Sequence, residues 1–316
     1  MNKTKIQWTD AVWNPVVGCS KLSPGCANCY AEVMANRLAA NPATSKRYAG
    51  TVRKGRWTGQ VNTVEDVLDE PRHWTKPRMV FVNSMSDLFH ESVPLGFILI
   101  VYDIMLGCLQ HTFQILTKRP KRALEFYRYW EGLPIHAHGL YPPKNIWLGV
   151  SVENQKTADE RIPILLQIDA AVRFLSCEPL LGPIDLHPNS YNKSLTGLHW
   201  IIAGGESGSH ARPMHPAWAR ALRDQCQAAG VPFFFKSFGE WLPDNQVSEH
   251  DPRHWPRFSR ARFGTLDIDG RWSPDVYPAK FPVEQQECLY RIGKKNAGDL
   301  LDGKTWHEFP VGSRGA

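Results

Sequence analysis

No stretch of this 316-residue chain approaches the ~18 consecutive apolar residues of a membrane span, and its opening, MNKTKIQWTD, lacks the apolar run of a secretory signal. A cytoplasmic protein with no membrane partner is the expectation. Cysteine is scarce, and its count of seven is odd. Together these argue against a disulfide framework and for thiols kept free for metal or catalysis. No G-x-G-x-x-G follows a first strand, which weakens a dinucleotide-binding reading. Neither sign of charge dominates: 37 Lys and Arg face 31 Asp and Glu, a net +6. There is also no internal repeat and no low-complexity block. A hydrophobic fraction of 42% is enough for a packed core, arranged as one large domain or two ordinary ones.

Three of the few cysteines stand together. GCSKLSPGCANCYA (residues 18–31) places Cys19, Cys26 and Cys29 in a C-x6-C-x2-C pattern, with Pro24 and Gly25 making the turn that returns the chain to the second thiol. Three thiolates can hold three corners of a cubane iron–sulfur cluster and leave one iron open for a substrate or cofactor. A structural zinc needs four ligands, usually as two close pairs. Only one close pair is present and no His lies near it, so a fourth ligand would have to come from Cys108, Cys177, Cys226 or Cys288. A third alternative is three unrelated buried thiols.

From residue 79 the chain repeats one theme, a short apolar run ending in small or polar residues and then a segment long enough for a helix. The runs are 79–87, 112–120, 145–154, 172–179, 199–208 and 232–241. Near-continuous apolar strands alternating with helices predict a parallel sheet covered by helices. With an N-terminal strand and helix around the cysteines, the expected fold is α/β, a full or partial (β/α) barrel. An open doubly wound sheet is the alternative. The barrel is expected over residues 1–241, with an insertion at about 43–78 and a C-terminal appended region over 242–316 that includes a short basic helix near Arg291, Lys294 and Lys295. In a barrel, catalytic groups gather at the C-terminal strand ends. Those ends are polar here: Asn83, Ser86 and Asp87; Thr117, Lys118 and Arg119; Ser151, Glu153 and Asn154; Cys177 and Glu178; Glu206 and Ser207; Lys236 and Glu240.

WNPVVGC followed by GCANCYAE resembles the cluster loop of radical S-adenosylmethionine enzymes, particularly the spore photoproduct lyase-like branch. With FVNSMSDLFHE, LGVSVEN, RFLSCEPLLGPI, IAGGESG and KSFGEW, the chain more closely resembles a phage-associated family bearing this three-cysteine signature. The resemblance runs from about Gln7 to Trp241 and again over LYRIGKKNAGDLLDG. Two departures stand out. The usual spacing is C-x3-C-x2-C, and position 28 is Asn where an aromatic residue usually contacts the adenine, a role that passes to Tyr30.

The resemblance implies a [4Fe-4S] cluster on Cys19, Cys26 and Cys29, S-adenosyl-L-methionine as cofactor, and an external electron donor. It implies Asn83, Ser84, Ser86 and Asp87 near the cofactor's amino group, Ser151, Glu153 and Asn154 at its ribose, and Gly204, Gly205 and Glu206 along the adenosine or methionine portion. Cys177 becomes a candidate hydrogen-atom donor, His90 a candidate proton shuttle and Lys236 a candidate substrate group. Their ordinary alternatives are a helix cap for Asp87, a core thiol for Cys177 and a structural hydrogen bond for His90. Basic segments interleaved with aromatics, at Lys46–Trp57, Thr117–Arg122 and Arg253–Phe263, suit phosphates and bases, or are solvated faces. With the phage association, which would place the protein in the host cytoplasm, the implied reaction is modification or rearrangement of a modified thymine in DNA. Isomerase, lyase and transferase types stay open. The alternatives are a radical enzyme acting on a peptide or small metabolite, and a non-catalytic, metal-stabilised DNA-binding protein.

Overall fold

A computed structural model describes residues 4–133, 141–186, 195–246, 261–276 and 285–312. The apolar runs become strands where their pattern predicts. β1 (Ala11–Trp13), β2 (Met79–Val82), β3 (Thr112–Thr117), β4 (Ile146–Ser151), β5 (Val172–Cys177), β6 (Trp200–Gly204) and β7 (Phe233–Ser237) form one seven-stranded parallel sheet. Strands β2, β4 and β6 are buried at every position, as expected where helices cover both faces. The strands lie in chain order, with β1 and β7 at the edges. A doubly wound sheet would reverse direction at a switch point, so the order excludes it. What forms is the partial (β/α) barrel, open between its first and last strands.

The helices follow from local chemistry. α1 (Tyr30–Ala40) starts directly after Cys29. α2 (Leu95–Leu106) is apolar nearly all round and largely buried. α3 (Pro120–Glu131) has Pro at its first position, where the missing N–H costs nothing, and buries Ala123, Phe126, Tyr127 and Trp130 at helical spacing. α4 (Gln155–Leu165) begins three residues before its apolar pattern does. In α5 (Pro216–Ala229), Nδ1 of His215 accepts from Ala217 N at the start, and Gly230 closes the other end in the left-handed conformation. No helix among the described residues is long and apolar enough to cross a membrane.

Two compact units make up the chain. One comprises residues 1–151, 160–175 and 311–316, the other 152–159 and 176–310. The division falls among the large sheet's strands. In the first unit, the insertion carries a hairpin, Val52–Arg53 pairing with Arg56–Trp57, whose two-residue turn, Lys54 and Gly55, has positive φ at both positions. In the second, β8 (Trp241–Pro243), β9 (Arg262–Asp267), β10 (Trp272–Pro274) and β11 (Gln286–Arg291) form an antiparallel sheet ordered β8-β11-β9-β10. Arg291 therefore ends a strand, and the expected short basic helix is the single turn Lys294–Ala297, which includes Lys294 and Lys295. The expected basic positions Arg253, Arg257 and Arg260 lie outside the described residues.

Candidate functional site

The cysteine loop is held at both ends. Just before it, Val16–Val17 pairs with Asn62–Thr63 of the insertion. Gly18 follows with φ of 92°, and a Cβ there would stand 2.3 Å from the Gln60 carbonyl oxygen, so only glycine fits. Its N–H donates to Met85 O and its carbonyl accepts from Ser86 Oγ. Pro24–Cys26 forms the single 3-10 turn that Pro24 and Gly25 predict. On the far side, Lys21 Nζ donates to Ala27 O at 3.1 Å and pairs with buried Glu32 of α1 at 2.9 Å. Glu32 also accepts from Trp57 N at 2.8 Å, tying helix, hairpin and loop together.

Cys19, Cys26 and Cys29 are all free and half-buried. They lie near enough that the charges of Cys26 and Cys29 act on Cys19. Burial, with Asp87 adding to it, pushes the Cys19 thiol up to about 12, while Arg119 pulls the other way. Among the described residues no three His, Cys, Asp or Glu side chains are gathered as ligands to one metal ion.

Beside Cys19 lies a buried polar network. Asp87, from the loop after β2, accepts from Phe89 N, Thr117 Oγ1, Lys118 N and the Arg119 guanidinium at 2.8 to 3.1 Å. No helix begins at residue 88, so the capping alternative gives way to a turn bound to the end of β3. Arg119 Nε also donates to both carboxylate oxygens of Glu91, at 2.9 and 3.0 Å, and its Nη2 donates to Ser20 Oγ at 2.7 Å. His90 completes the set. Its Nδ1 accepts from Ser92 N, which leaves the proton on Nε2, 2.9 Å from Ser20 Oγ. Burial, then Arg119, lowers its pKa and keeps it neutral.

Asn83 ends β2 in the left-handed conformation (φ 60°), which Asn tolerates better than most residues. Its Oδ1 accepts from Val16 N, while its buried Nδ2 has no acceptor among the described residues. Ser84 Oγ donates to Asn14 Oδ1, and the Tyr30 hydroxyl to Ser84 O. The hydroxyls of Ser84 and Ser86 are thus committed to holding backbone and loop.

The other predicted residues have partners within their own units. In the first unit, the Ser151 carbonyl accepts from Arg161. In the second unit, Asn154 Oδ1 accepts from Thr157 N, capping α4, and Glu153 is fully buried. Lys236 pairs with Glu178 at 2.7 Å, and Glu206 accepts from Arg212 through both oxygens at 2.6 and 2.9 Å. A Cβ on Gly205 would meet the Phe238 carbonyl oxygen at 2.1 Å, so the group that approaches this glycine closely is the chain's own backbone. Cys177 is fully buried, and burial drives its thiol well above the ordinary range.

Sequence reasoning named Arg119 as a polar strand end without assigning it a role, and it missed Ser20, Glu91 and Glu32. Ser20 and Glu91 neighbour named residues in sequence. Glu32 had no signal, because an acidic residue on a helix ordinarily faces water.

No curated protein matches the chain in sequence. Among solved structures, a cysteine-to-serine mutant of spore photoproduct lyase aligns over 92% of this chain and 71% of its own, at 8% identity and a TM-score of 0.40. A family profile, by contrast, matches residues 3–310, nearly the whole chain, and by that match the protein belongs to the family described as protein of unknown function (DUF5131).

Proposed function

We propose that this protein is a radical S-adenosylmethionine enzyme whose [4Fe-4S] cluster is held by Cys19, Cys26 and Cys29. The observation that carries this reading is one loop with three free, half-buried thiols, pinned beside a buried, fully bonded Asp87–Arg119 pair and a buried Asn83 Nδ2 with no acceptor among the described residues. A cluster takes its thiolates at separate irons, so it does not need donors gathered on a single ion. When bound, the cluster supplies one-electron cleavage of the cofactor's C–S bond, a source of a carbon radical for hydrogen abstraction.

The chain's own residues bind and orient. Arg119, anchored by Asp87 and Glu91, fixes Ser20 and with it the backbone of Cys19. Asn83 Nδ2 offers a buried donor suited to the cofactor's carboxylate. Ligation must release the Cys19 proton that burial holds, so cluster insertion is expected to be favoured as pH rises. For the substrate we propose a DNA base, presented in a single strand or flipped out of a duplex, because a stacked base cannot reach a buried radical. Exposed Arg53, Lys54 and Arg56 on the hairpin supply phosphate contacts.

Anaerobic reconstitution tests the reading. About four irons per chain, lost when all three cysteines become Ala, and release of 5′-deoxyadenosine from S-adenosylmethionine on reduction are expected. Stoichiometric zinc in the native protein, or iron retained by the triple variant, would overturn it.

A further inference from the structure

The second unit contains a cavity of about 540 Å³, lined by Arg262 and Phe263 of one basic, aromatic segment and by none of the residues expected to hold the cofactor. That volume lies within the ~300–1,000 Å³ of ordinary small-ligand sites. Its character comes from strand register. Arg262 of β9 stands directly opposite Arg291 of β11, and Arg291 directly opposite Trp241 of β8. Cross-strand partners share a face, so two guanidinium groups and an indole form a row. Trp272 of β10 belongs to the same face, since it pairs with Leu266, four residues along β9 from Arg262. Gly264, between them, leaves room for its ring: a Cβ there would stand 2.5 Å from Trp272. The two indoles meet edge to face at 4.9 Å.

Like charges directly opposite on neighbouring strands destabilise a sheet. Arg291 donates only to the neutral carbonyls of Gly208 and Ser209, at 2.9 Å each. Among the described residues neither guanidinium pairs with a carboxylate. The pocket therefore holds two guanidinium groups without an ion-pair partner among the described residues, the half-buried indole of Trp272, and one carboxylate, Asp275.

From this arrangement we infer a nucleotide-binding site, in which Arg262 and Arg291 take the phosphate, Trp272 stacks the base and Asp275 accepts from the base edge. Guanidinium forks suit phosphate oxygens, and an indole suits any planar base. An acidic peptide fits less well, because its further carboxylates would meet Asp275. The inference deepens the substrate side of the proposed function and rests on that reading only for the link to DNA. The test needs neither cluster nor S-adenosylmethionine, so failure here and failure of the 5′-deoxyadenosine assay are separable.

The full chain is titrated with thymidine monophosphate, thymidine, inorganic phosphate and single-stranded oligothymidylate, read by calorimetry and indole fluorescence. The monophosphate and the oligonucleotide are expected to bind and quench, with thymidine and phosphate at least about ten-fold weaker, since each lacks half of the recognised group. Arg262→Gln should weaken binding about ten-fold and lower the salt slope for the oligonucleotide by roughly 0.7. Trp272→Ala should weaken it about 5- to 100-fold, while Trp272→Phe, which keeps a ring, should bind nearly as the parent does. If Trp272→Ala fails to melt cooperatively, Arg262→Gln and Trp272→Phe still decide. A steeper salt slope for the oligonucleotide than for the monophosphate assigns a strand as the source, and equal slopes assign a free nucleotide. No binding of either at millimolar concentration, phosphate binding as tightly as the monophosphate, or unchanged affinity in both Arg262→Gln and Trp272→Ala would overturn the inference.

Discussion

At the scale of single residues, the chemistry was legible where a side chain's type limits its uses, and illegible where its partner comes from far along the chain. Asp87 stood out as a carboxylate at a strand end, but its bonds to Thr117 and Arg119 span 30 and 32 residues, and only the fold creates them. Gly205 has the Phe238 carbonyl against it, a contact from 33 residues along the chain that no local pattern announces. His215 gives a prediction at this scale. It is buried, its Nδ1 accepts from Ala217 N, and burial, then Arg220, holds its pKa down to about 4. Unfolded, the same side chain titrates near 6.5. Between these values the unfolded chain binds the extra proton, so stability falls as pH drops from about 6.5 towards 4, by roughly 3 kcal/mol at most. Asn keeps the capping acceptor and removes the titration. Urea unfolding of His215→Asn at several pH values should show a flatter profile across that window. A profile as steep as the parent's would assign the acid sensitivity to other groups.

At the scale of elements, periodicity did most of the work. Six apolar runs gave six strands, because a strand buried on both faces has no polar positions to disguise it. α5 was legible from Trp218, Leu222 and Cys226 at helical spacing and from Gly230 after them. Charge patterning misled over Arg291, since alternation along a short amphipathic strand resembles one face of a basic helix. The cysteine loop stood out by its spacing, but its anchorage did not. Gly18 isolates that anchorage. Ala there meets both an unfavourable φ of 92° and the Gln60 carbonyl, whereas Ala at Gly55, with φ of 79°, meets no atom within 4 Å. Gly55→Ala should therefore cost only the backbone term, about 1 kcal/mol, and Gly18→Ala at least about 2 kcal/mol more. Thermal unfolding measures the difference, and labelling of Cys19, Cys26 and Cys29 by a thiol reagent should accelerate only in Gly18→Ala. Equal losses in the two variants would show that loop and insertion are not locked at this contact.

For the whole molecule, a net charge of +6 on 316 residues is too small to drive tight association with a polyanion unless the cations are concentrated where a strand runs. Three exposed cations of the first unit, Arg53, Lys54 and Arg56, stand together on one hairpin. They are not equivalent. Arg56 stands 3.8 Å from Glu32, the carboxylate that also holds Lys21 of the cysteine loop, so reversing its charge would disturb the loop as well as any nucleic acid. Arg53 and Lys54 have no such tie among the described residues, which makes Arg53→Glu with Lys54→Glu the cleaner probe. If both side chains contact phosphates of a single strand, the double variant should flatten the dependence of log affinity on log salt by roughly 1.4, about 0.7 for each contact. Arg262→Gln, as one further phosphate contact, should remove about 0.7 more. 5′-Deoxyadenosine release without DNA should stay at the parent level in the Arg53, Lys54 double variant, since neither residue belongs to the Cys19–Asp87–Arg119 network. Unchanged slopes in all variants would leave these cations as solvated surface and direct the search for a substrate towards peptides or small metabolites.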